Sequence, residues 1–318
     1  MGKIKLREGQ TIPFCNELRR KLVFNIYNFI TSYRFRGSQR LGEFMLDTLL
    51  PAPKGPTICH IKYGFNIIVD PVTDKGVERK IYFRSIYEEG TIALMKRILK
   101  DGDTFVDIGS NIGLMSLAAS KFVGENGVVY AFEPHPDTFS ILQDNIELNN
   151  SKNIFSYNIA LGAKEEKALI YSNMKVNRGS ASLIKTSHNQ SEGKDVAIKS
   201  LDDFIIEKGI KNIRMVKVDV EGWELEVFKG ARQLLGGENA PIVCFEYSNG
   251  HALQNGQLSD LYKFIQSVND YKLYRLEKGK EISSKLMRIA CTEDLPEHDN
   301  LFCFPSEQLK KIQRNIFA

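Results

Sequence analysis

Apolar residues are arranged in two different rhythms along the chain. Over residues 14 to 33, Leu18, Leu22, Ile26, Phe29 and Ile30 recur every three or four positions, with Arg19, Arg20, Lys21 and Arg34 around them. That spacing predicts an amphipathic helix with a basic flank. Pro51-Ala-Pro-Lys-Gly-Pro56 reads as a linker. Ile58 to Val69 reads as two strands around Gly64, a hairpin-like lead-in. From Ile81 short apolar runs alternate with helical patterns. Strands are predicted at 104–108, 127–132, 154–159, 213–218 and 241–245, with final strands at 272–276 and 301–304. Between them lie helical faces carried by Met115, Ala118, Ala119 and Phe122, by Phe139, Leu142 and Ile146, by Leu225, Phe228, Ala231 and Leu235, and by Leu261, Phe264, Ile265 and Val268. Pro136 suits the first turn of the second of these helices. Ser200 with Asp203 forms a capping-box-like start to a helix before the fourth strand.

Strands alternating with helices imply a mostly parallel sheet covered on both faces, with ligands at the carboxyl ends of the strands. The expected division is an N-terminal extension, residues 1–78, followed by one α/β domain, residues 79–318, whose core runs from about Arg79 to Phe304.

Composition narrows the class. The chain has 318 residues, 42% hydrophobic and 26% charged, with a net charge of +4. So mild a charge argues against a nucleic-acid partner, which normally leaves a dense basic patch. The five cysteines are far apart and form no Cys-x-x-Cys pair, so reduced thiols in a cytoplasmic protein are expected rather than a disulfide framework. No apolar run reaches the length of a membrane span. Met1-Gly2 is followed by Leu6 where a myristoylation signal has Ser or Thr. The 14–33 helix can pack on its own core or on a second subunit, and contact with a membrane surface is a further reading of its basic flank.

The chemistry gathers at strand ends. Asp107-Ile-Gly109-Ser110-Asn111-Ile-Gly113 follows the first strand, and Glu133 ends the second, 20 residues after Gly113. Glycines allow a tight strand-to-helix turn close to a ligand, and an acid so placed can accept hydrogen bonds from a ribose diol. A nicotinamide dehydrogenase satisfies the same logic. Against it, the glycines are spaced Gly-x-x-x-Gly without the middle glycine that admits a pyrophosphate, and Asp107 would repel phosphates. S-adenosylmethionine (SAM) brings a sulfonium and an amino group instead, and an acidic mouth suits both.

Phe105-Val-Asp-Ile-Gly-Ser-Asn-Ile-Gly113, Tyr130-Ala-Phe-Glu-Pro-His-Pro136, Ala160-Leu-Gly162 and Lys217-Val-Asp-Val-Glu-Gly-Trp-Glu224 resemble the signature blocks of the FkbM family of methyltransferases. The resemblance covers roughly Glu89 to Glu246. It implies a Rossmann-like class I methyltransferase fold, a seven-stranded mostly parallel sheet, and O-methylation of sugars, glycans or secondary metabolites. It also implies a SAM site containing Asp107, Gly109, Asn111, Gly113 and Glu133, to which Ser110, Pro134 and His135 of the same blocks are added. Glu89 is expected at the methionine end of SAM, and Asn158 and Ala160 near the adenine. The segment 178–183 resembles a loop covering the active site, so Ser180 or Ser182 is expected to meet a polar acceptor. Trp223 is a candidate for stacking on a sugar.

Asp219 and Glu221 follow the fourth strand, where the transferred methyl belongs. A hydroxyl acceptor is helped by a base within hydrogen-bond reach; Asp219 is the first choice and Glu221 the second, with cofactor positioning as the alternative for both. Asp219 also counts among the cofactor contacts. Glu246 ends the fifth strand at the same mouth. A Mg²⁺ ion between Asp219 and Glu246 is considered but not assigned, because too few carboxylates are visible. His60, His188, His251 and His298 show no metal-ligand spacing. Base methylation of nucleic acid is disfavoured, since position 219 begins Asp-Val-Glu-Gly rather than an Asn-Pro-Pro-Tyr element. The leading expectation is an O-methyltransferase acting on a small-molecule or glycan hydroxyl. A dehydrogenase and a non-catalytic SAM-binding scaffold are the competing readings.

Overall fold

A computed structural model describes residues 3–5, 11–32, 37–50, 53–173, 177–184, 193–248, 258–312 and 314–317. The chain opens with a small antiparallel pair, β1 (Lys3–Lys5) and β2 (Thr11–Pro13). The expected basic helix is α1 (Glu17–Ser32); Arg34 lies outside the described residues. A second helix, α2 (Ser38–Leu49), packs against it. It was not expected, because its apolar set is short and follows the arginine-rich stretch directly. Leu18, Leu22 and Phe29 of α1, and Leu41 and Phe44 of α2, remain exposed. The hairpin is present as β3 (Thr57–Ile61) and β4 (Phe65–Val69). Gly64 at its tip has φ +85°, a conformation glycine adopts without a side-chain clash. Helices α3 (Val77–Arg84) and α4 (Glu89–Ile98) lead into the main sheet.

The main sheet uses β5 (Thr104–Ile108), β6 (Val128–Phe132) and β7 (Ile154–Tyr157), separated by α5 (Leu114–Val123) and α6 (Pro136–Leu148). Pro136 occupies the first turn of α6 as expected. The chain then builds a second, four-stranded sheet from β8 (Ala160–Leu161), β9 (Glu166–Asn173), β10 (Asn177–Ser182) and β11 (Lys194–Lys199), in the order β10-β9-β11-β8. It returns through α7 (Leu201–Lys208), where Ser200 Oγ accepts from Asp203 N, to β12 (Ile213–Val218), α8 (Glu224–Lys229), α9 (Arg232–Gly236) and β13 (Ile242–Ser248). The end of the chain supplies α10 (Leu258–Val268), β14 (Tyr271–Leu276), β15 (Leu286–Ile289), β16 (His298–Pro305) and α11 (Ser306–Leu309).

The main-sheet order is β15-β14-β16-β13-β12-β5-β6-β7. The five strands from β13 to β7 are parallel, while β16 runs antiparallel to both β13 and β14. The seven expected strands are therefore present, and β15 adds an eighth at the edge. Side chains alternate across the pleat. Phe105, Ala131, Met215, Cys244 and Phe302 face a core shared with α4, α5 and the β3–β4 hairpin. Val106, Phe132, Val216, Val243 and Cys303 face a second core under α7 to α10. With both faces buried, the central strands read as near-continuous apolar runs, which is why they were legible.

Two expectations are corrected. The third strand ends at Tyr157, so Asn158 lies beyond it and Ala160 opens β8 of the smaller sheet. Residues 178–183, expected as a polar loop, lie mostly in β10, an edge strand paired with β9. Its Arg-Gly-Ser-Ala-Ser composition carries no alternation because it borders a surface sheet rather than a core.

Candidate active site

Strand order reverses between β5 and β12, and the loops after these two strands meet there. Gly109 has φ +79°, and a Cβ on it would stand 1.8 Å from the carbonyl oxygen of Asp219. Only a residue without a side chain allows this approach. Asn111 follows in the same left-handed region, at φ +49°. Glu133, buried at the end of β6, accepts hydrogen bonds from Asn111 N (2.9 Å) and His135 N (2.9 Å). Burial pushes its carboxyl up to about 7 despite those two donors. Each oxygen keeps a free lone pair for a further donor.

Two chambers open from this point. On one sheet face, Ile108, Phe132, Pro134, Ile159, Ala160, Leu161 and Trp223 form a narrow apolar slot with Glu133 at its rim. Arg178, Ala181 and Leu183 reach over it from β10 and the residues just after it. Trp223 Nε1 and Asn111 Oδ1, on two of the residues lining the slot, are buried without a partner among the described residues. On the other face, a cavity of about 370 Å³ is walled by Tyr87, Glu88, Asp107, Lys217, Asp219, Glu221, Glu246 and His298. Gly109, Asn111 and Asp219 line both chambers.

The larger cavity is a network of acids held by two lysines. Asp107 is buried, accepts from Ser116 Oγ (2.5 Å) and is pushed up to about 6 by burial, against the pull of Lys217. Lys217 is buried beside it and donates to Asp219 Oδ2 at 2.7 Å. Burial drives the Asp219 carboxyl up, but the charge and hydrogen bond of Lys217, with Lys280 and His298, together hold the group below its ordinary value. Lys280 bonds Glu246 Oε1 (2.6 Å) and Glu88 Oε1 (3.0 Å). Asn300 Nδ2 donates to Glu88 Oε2 at 2.7 Å. Burial, helped by Asp219, raises Glu246 to about 7. Burial and then Glu246 raise Glu221 well above its usual range. Glu88, Asp219 and Glu246 bring oxygens within 4.8 Å of one another, a spacing that would suit a cation. The Lys280 ammonium already bridges two of the three. Glu88 and Glu221 have φ +49° and +53°. Left-handed backbone at a non-glycine residue costs on the order of 1–3 kcal/mol and collects at functional sites.

The structure brings most sequence candidates together. Asp107, Gly109, Ser110, Asn111, Glu133, Pro134, Ala160, Asp219, Glu221, Trp223 and Glu246 all line one chamber or the other. Gly113 caps α5 at φ +94° behind them. Glu89 pairs with Lys62 and is not among the residues lining either chamber, whereas its neighbour Glu88, in left-handed backbone before α4, lines the acidic cavity. Asn158 is exposed and supports the slot from below, donating to the carbonyls of Glu133 (2.8 Å) and Pro134 (2.9 Å). His135 is buried against Ser172 Oγ (3.1 Å), away from both chambers. Ser182 Oγ donates to the Glu221 carbonyl at 2.9 Å and so ties the β10 edge to the active loop. The Ser180 side chain, His188 and His251 lie outside the described residues. Sequence reasoning missed Glu88, Lys217, Lys280 and Asn300, and it set His298 aside as scattered, though it lines the cavity beside Glu246. Only Lys217 carried a signal, as a charge within an apolar strand.

A glycine turn, a rim acid and an acidic cavity at the switch point of a β7-β6-β5-β12-β13-β16-β14 sheet define a class I methyltransferase. A profile of the methyltransferase FkbM domain matches residues 107–275, more than half the chain, and the protein belongs to this family of SAM-dependent methyltransferases. Among curated proteins it is 27% identical over 190 residues to Methyltransferase 1 of Beauveria bassiana, covering 52% of this chain and 72% of that protein. It is 32% identical over 162 residues to the hexuronic acid methyltransferase AglP of Haloferax volcanii, covering 49% of this chain and 61% of that protein. The precorrin-6y C5,15-methyltransferase structure from Geobacter metallireducens overlays at a TM-score of 0.40 with 12% identity, over 70% of this chain and 92% of that one. Among the described residues no helix is long and apolar enough to cross a membrane.

Proposed function

We propose that the chain methylates a hydroxyl of a sugar, glycan or related polar metabolite, with SAM lying across the two chambers. The observation that carries this reading is the shared wall: Gly109, Asn111 and Asp219 belong both to an apolar slot and to an acidic cavity. That suits a ligand with a flat base and ribose at one end and a cationic tail at the other. Trp223 Nε1 and Asn111 Oδ1 fit such a ligand as an idle buried donor and acceptor, and Glu133 offers its remaining lone pairs to the ribose diol. When bound, SAM supplies a methyl group on a positively charged sulfur.

The residues then divide the work. Asp107 and the 109–113 turn hold the amino acid portion. Asp219, kept ionised by Lys217, orients the reacting groups and is a weak base for the same reason. Glu246, with its carboxyl near 7, is the better-matched acceptor for the hydroxyl proton. His298 Nε2, 3.4 Å from Glu246 Oε1 and half exposed, offers that proton a way to solvent. A cavity edged by Glu88, Asp219, Glu221 and Glu246 repels phosphates, so nucleotides and nicotinamide dinucleotides are disfavoured ligands. AglP, the hexuronic acid methyltransferase, supports a carbohydrate acceptor.

The test is calorimetry with SAM and with NAD, followed by transfer of labelled methyl from SAM to a panel of sugars including hexuronosides. We expect SAM to bind, NAD to leave no heat, and Glu246→Gln to lower transfer by roughly 100-fold while SAM affinity falls by a few-fold at most. Binding of NAD in preference to SAM would sink the assignment. Unchanged transfer in Glu246→Gln would remove Glu246 as the base.

A further inference from the structure

Away from the cleft, the start of α1 holds a buried charge that is only weakly compensated. Arg20 is almost wholly buried, and its Nη2 donates to the His60 carbonyl at 2.9 Å. Among the described residues its Nε and Nη1 have no hydrogen-bond partner. The Glu17 carboxylate stands 3.9 Å from Nη2 and is one-third exposed. A buried guanidinium so poorly matched calls for an anion.

Two sulfur atoms lie beside it. Phe14 and Ile58 form a parallel bridge, and Cys15 N donates to the Ile58 carbonyl at 2.8 Å. Side chains alternate along extended chain, so the next residues on each segment, Cys15 and Cys59, fall opposite one another on the same face. Cys59 belongs to the core cluster that Cys15 packs against. Cys59 is fully buried, while Cys15 is partly exposed. We propose that Cys15 and Cys59 are a reactive thiol pair that exchanges with low-molecular-weight disulfides such as oxidised glutathione, Cys15 attacking and Cys59 resolving, with Arg20 as the counter-charge of the Cys15 thiolate.

The chemistry balances. The Cys15 thiolate attacks one sulfur of the glutathione disulfide, forms a mixed disulfide and releases one glutathione thiolate. Cys59 gives up its proton, which the departing thiolate or water takes, and attacks the Cys15 sulfur, releasing the second glutathione. Two protein thiols are oxidised to one disulfide, and one small disulfide is reduced to two thiols. The new bond would pin the β2–α1 junction to β3.

The electrostatics agree with the division of roles. The neighbouring Cys59 thiol, with help from Arg20, overcomes burial and the opposing Glu17, and holds the Cys15 thiol down at about 7. Cys15 and burial push Cys59 up. Arg19, exposed, is engaged with the Leu49 carbonyl, and Tyr82 of α3 approaches the pair as a neutral phenol. Cys291 is the internal comparison. It is fully exposed, yet contact with Glu293 raises its thiol.

The experiment incubates the full chain with oxidised glutathione at pH 7 and maps peptides by mass. We expect a Cys15–Cys59 crosslink with the loss of two hydrogens, reversed by a thiol reductant. Cys59→Ser should trap glutathione on Cys15. Alkylation of Cys15 should outpace that of exposed Cys291 and show a midpoint near pH 7, moving up by about one unit in Arg20→Met and staying low in Arg20→Lys, which retains the charge. A folded chain that shows no Cys15–Cys59 crosslink overturns the proposal. So does alkylation at Cys291 in preference to Cys15, or a Cys15 midpoint indifferent to both Arg20 variants.

Discussion

The slot and the cavity are cut from the same strand ends, yet one is apolar and the other is crowded with charge. At the tip of β5, Ile108 faces the slot and Asp107 the cavity; at the tip of β12, Val218 packs in the apolar core below the slot and Lys217 in the cavity wall. Asp107 and Lys217 are register partners on neighbouring strands, so their charges sit side by side. A one-residue alternation thus sorts apolar recognition to one face of the sheet and ionic chemistry to the other. A ligand threaded over Gly109 meets both without either chamber compromising the other.

The sharpest way to break that arrangement is to thicken the shared wall. Gly109→Val forces a Cβ into the Asp219 carbonyl and a branched side chain into left-handed backbone. We expect SAM binding to vanish in calorimetry and stability to fall by roughly 3 kcal/mol in denaturant unfolding. Retained SAM affinity would show that the two loops do not meet as described. Next in size is Asp219→Asn, which leaves the buried Lys217 ammonium without its ion partner. Removing one member of such a pair costs about 3 kcal/mol, and adding Lys217→Met to the same chain should recover much of it. Urea unfolding of the two variants checks the sign: if the double variant is the less stable one, the pair is not the source of the loss.

The contrast between the chambers also marks what could be read in advance. Asp107, Gly109, Asn111 and Glu133 were legible because each follows an apolar run on a strand buried on both faces, where the chain has few alternatives. The acids after β12 and near the end of β13 were legible for the same reason. Glu88 was not, and Glu89 was chosen in its place, because helical spacing says nothing about an αL residue at the helix start. Lys280, Asn300 and His298 come from polar segments near the C-terminus and reach the cavity only because β16 inserts antiparallel between β13 and β14. Helix α2 and the smaller sheet escaped because neither buries a long periodic face. Ser182, a candidate acceptor contact in the sequence, is not among the residues lining either chamber, and its hydroxyl donates to the Glu221 carbonyl.

Two measurements sharpen the difference between the rim and the cavity. Glu133→Ala removes the ribose-type acceptor and should weaken SAM by an order of magnitude or more, about 1.4 kcal/mol at least, in calorimetry. Equal affinity in wild type and variant would move the ribose elsewhere. The cavity should instead reveal itself through pH. Glu246 has its carboxyl raised to about 7, and Asp107 to about 6. Both are more ionised at higher pH, and ionised acids favour a sulfonium. SAM affinity is therefore expected to rise by up to roughly an order of magnitude between pH 6 and pH 8. S-adenosylhomocysteine, whose sulfur is neutral, should gain less; equal gains would place the sulfur away from the acids.

The smallest effect separates a structural tie from a substrate contact. Ser182 Oγ donates to the Glu221 carbonyl and accepts from Ile184 N at 3.1 Å. Both bonds lie within the protein, so Ser182→Ala should lower stability by about 1 kcal/mol, the net worth of a hydrogen bond. SAM affinity should stay within about twofold, because neither chamber loses a lining group. The consequence should appear in the acceptor step alone: Glu221 loses the contact that steadies its αL backbone, so kcat falls while the KM for the acceptor holds. A variant with unchanged stability and a raised acceptor KM would return Ser182 to the role of a direct substrate contact, and would place the acceptor under β10 rather than beside Glu246.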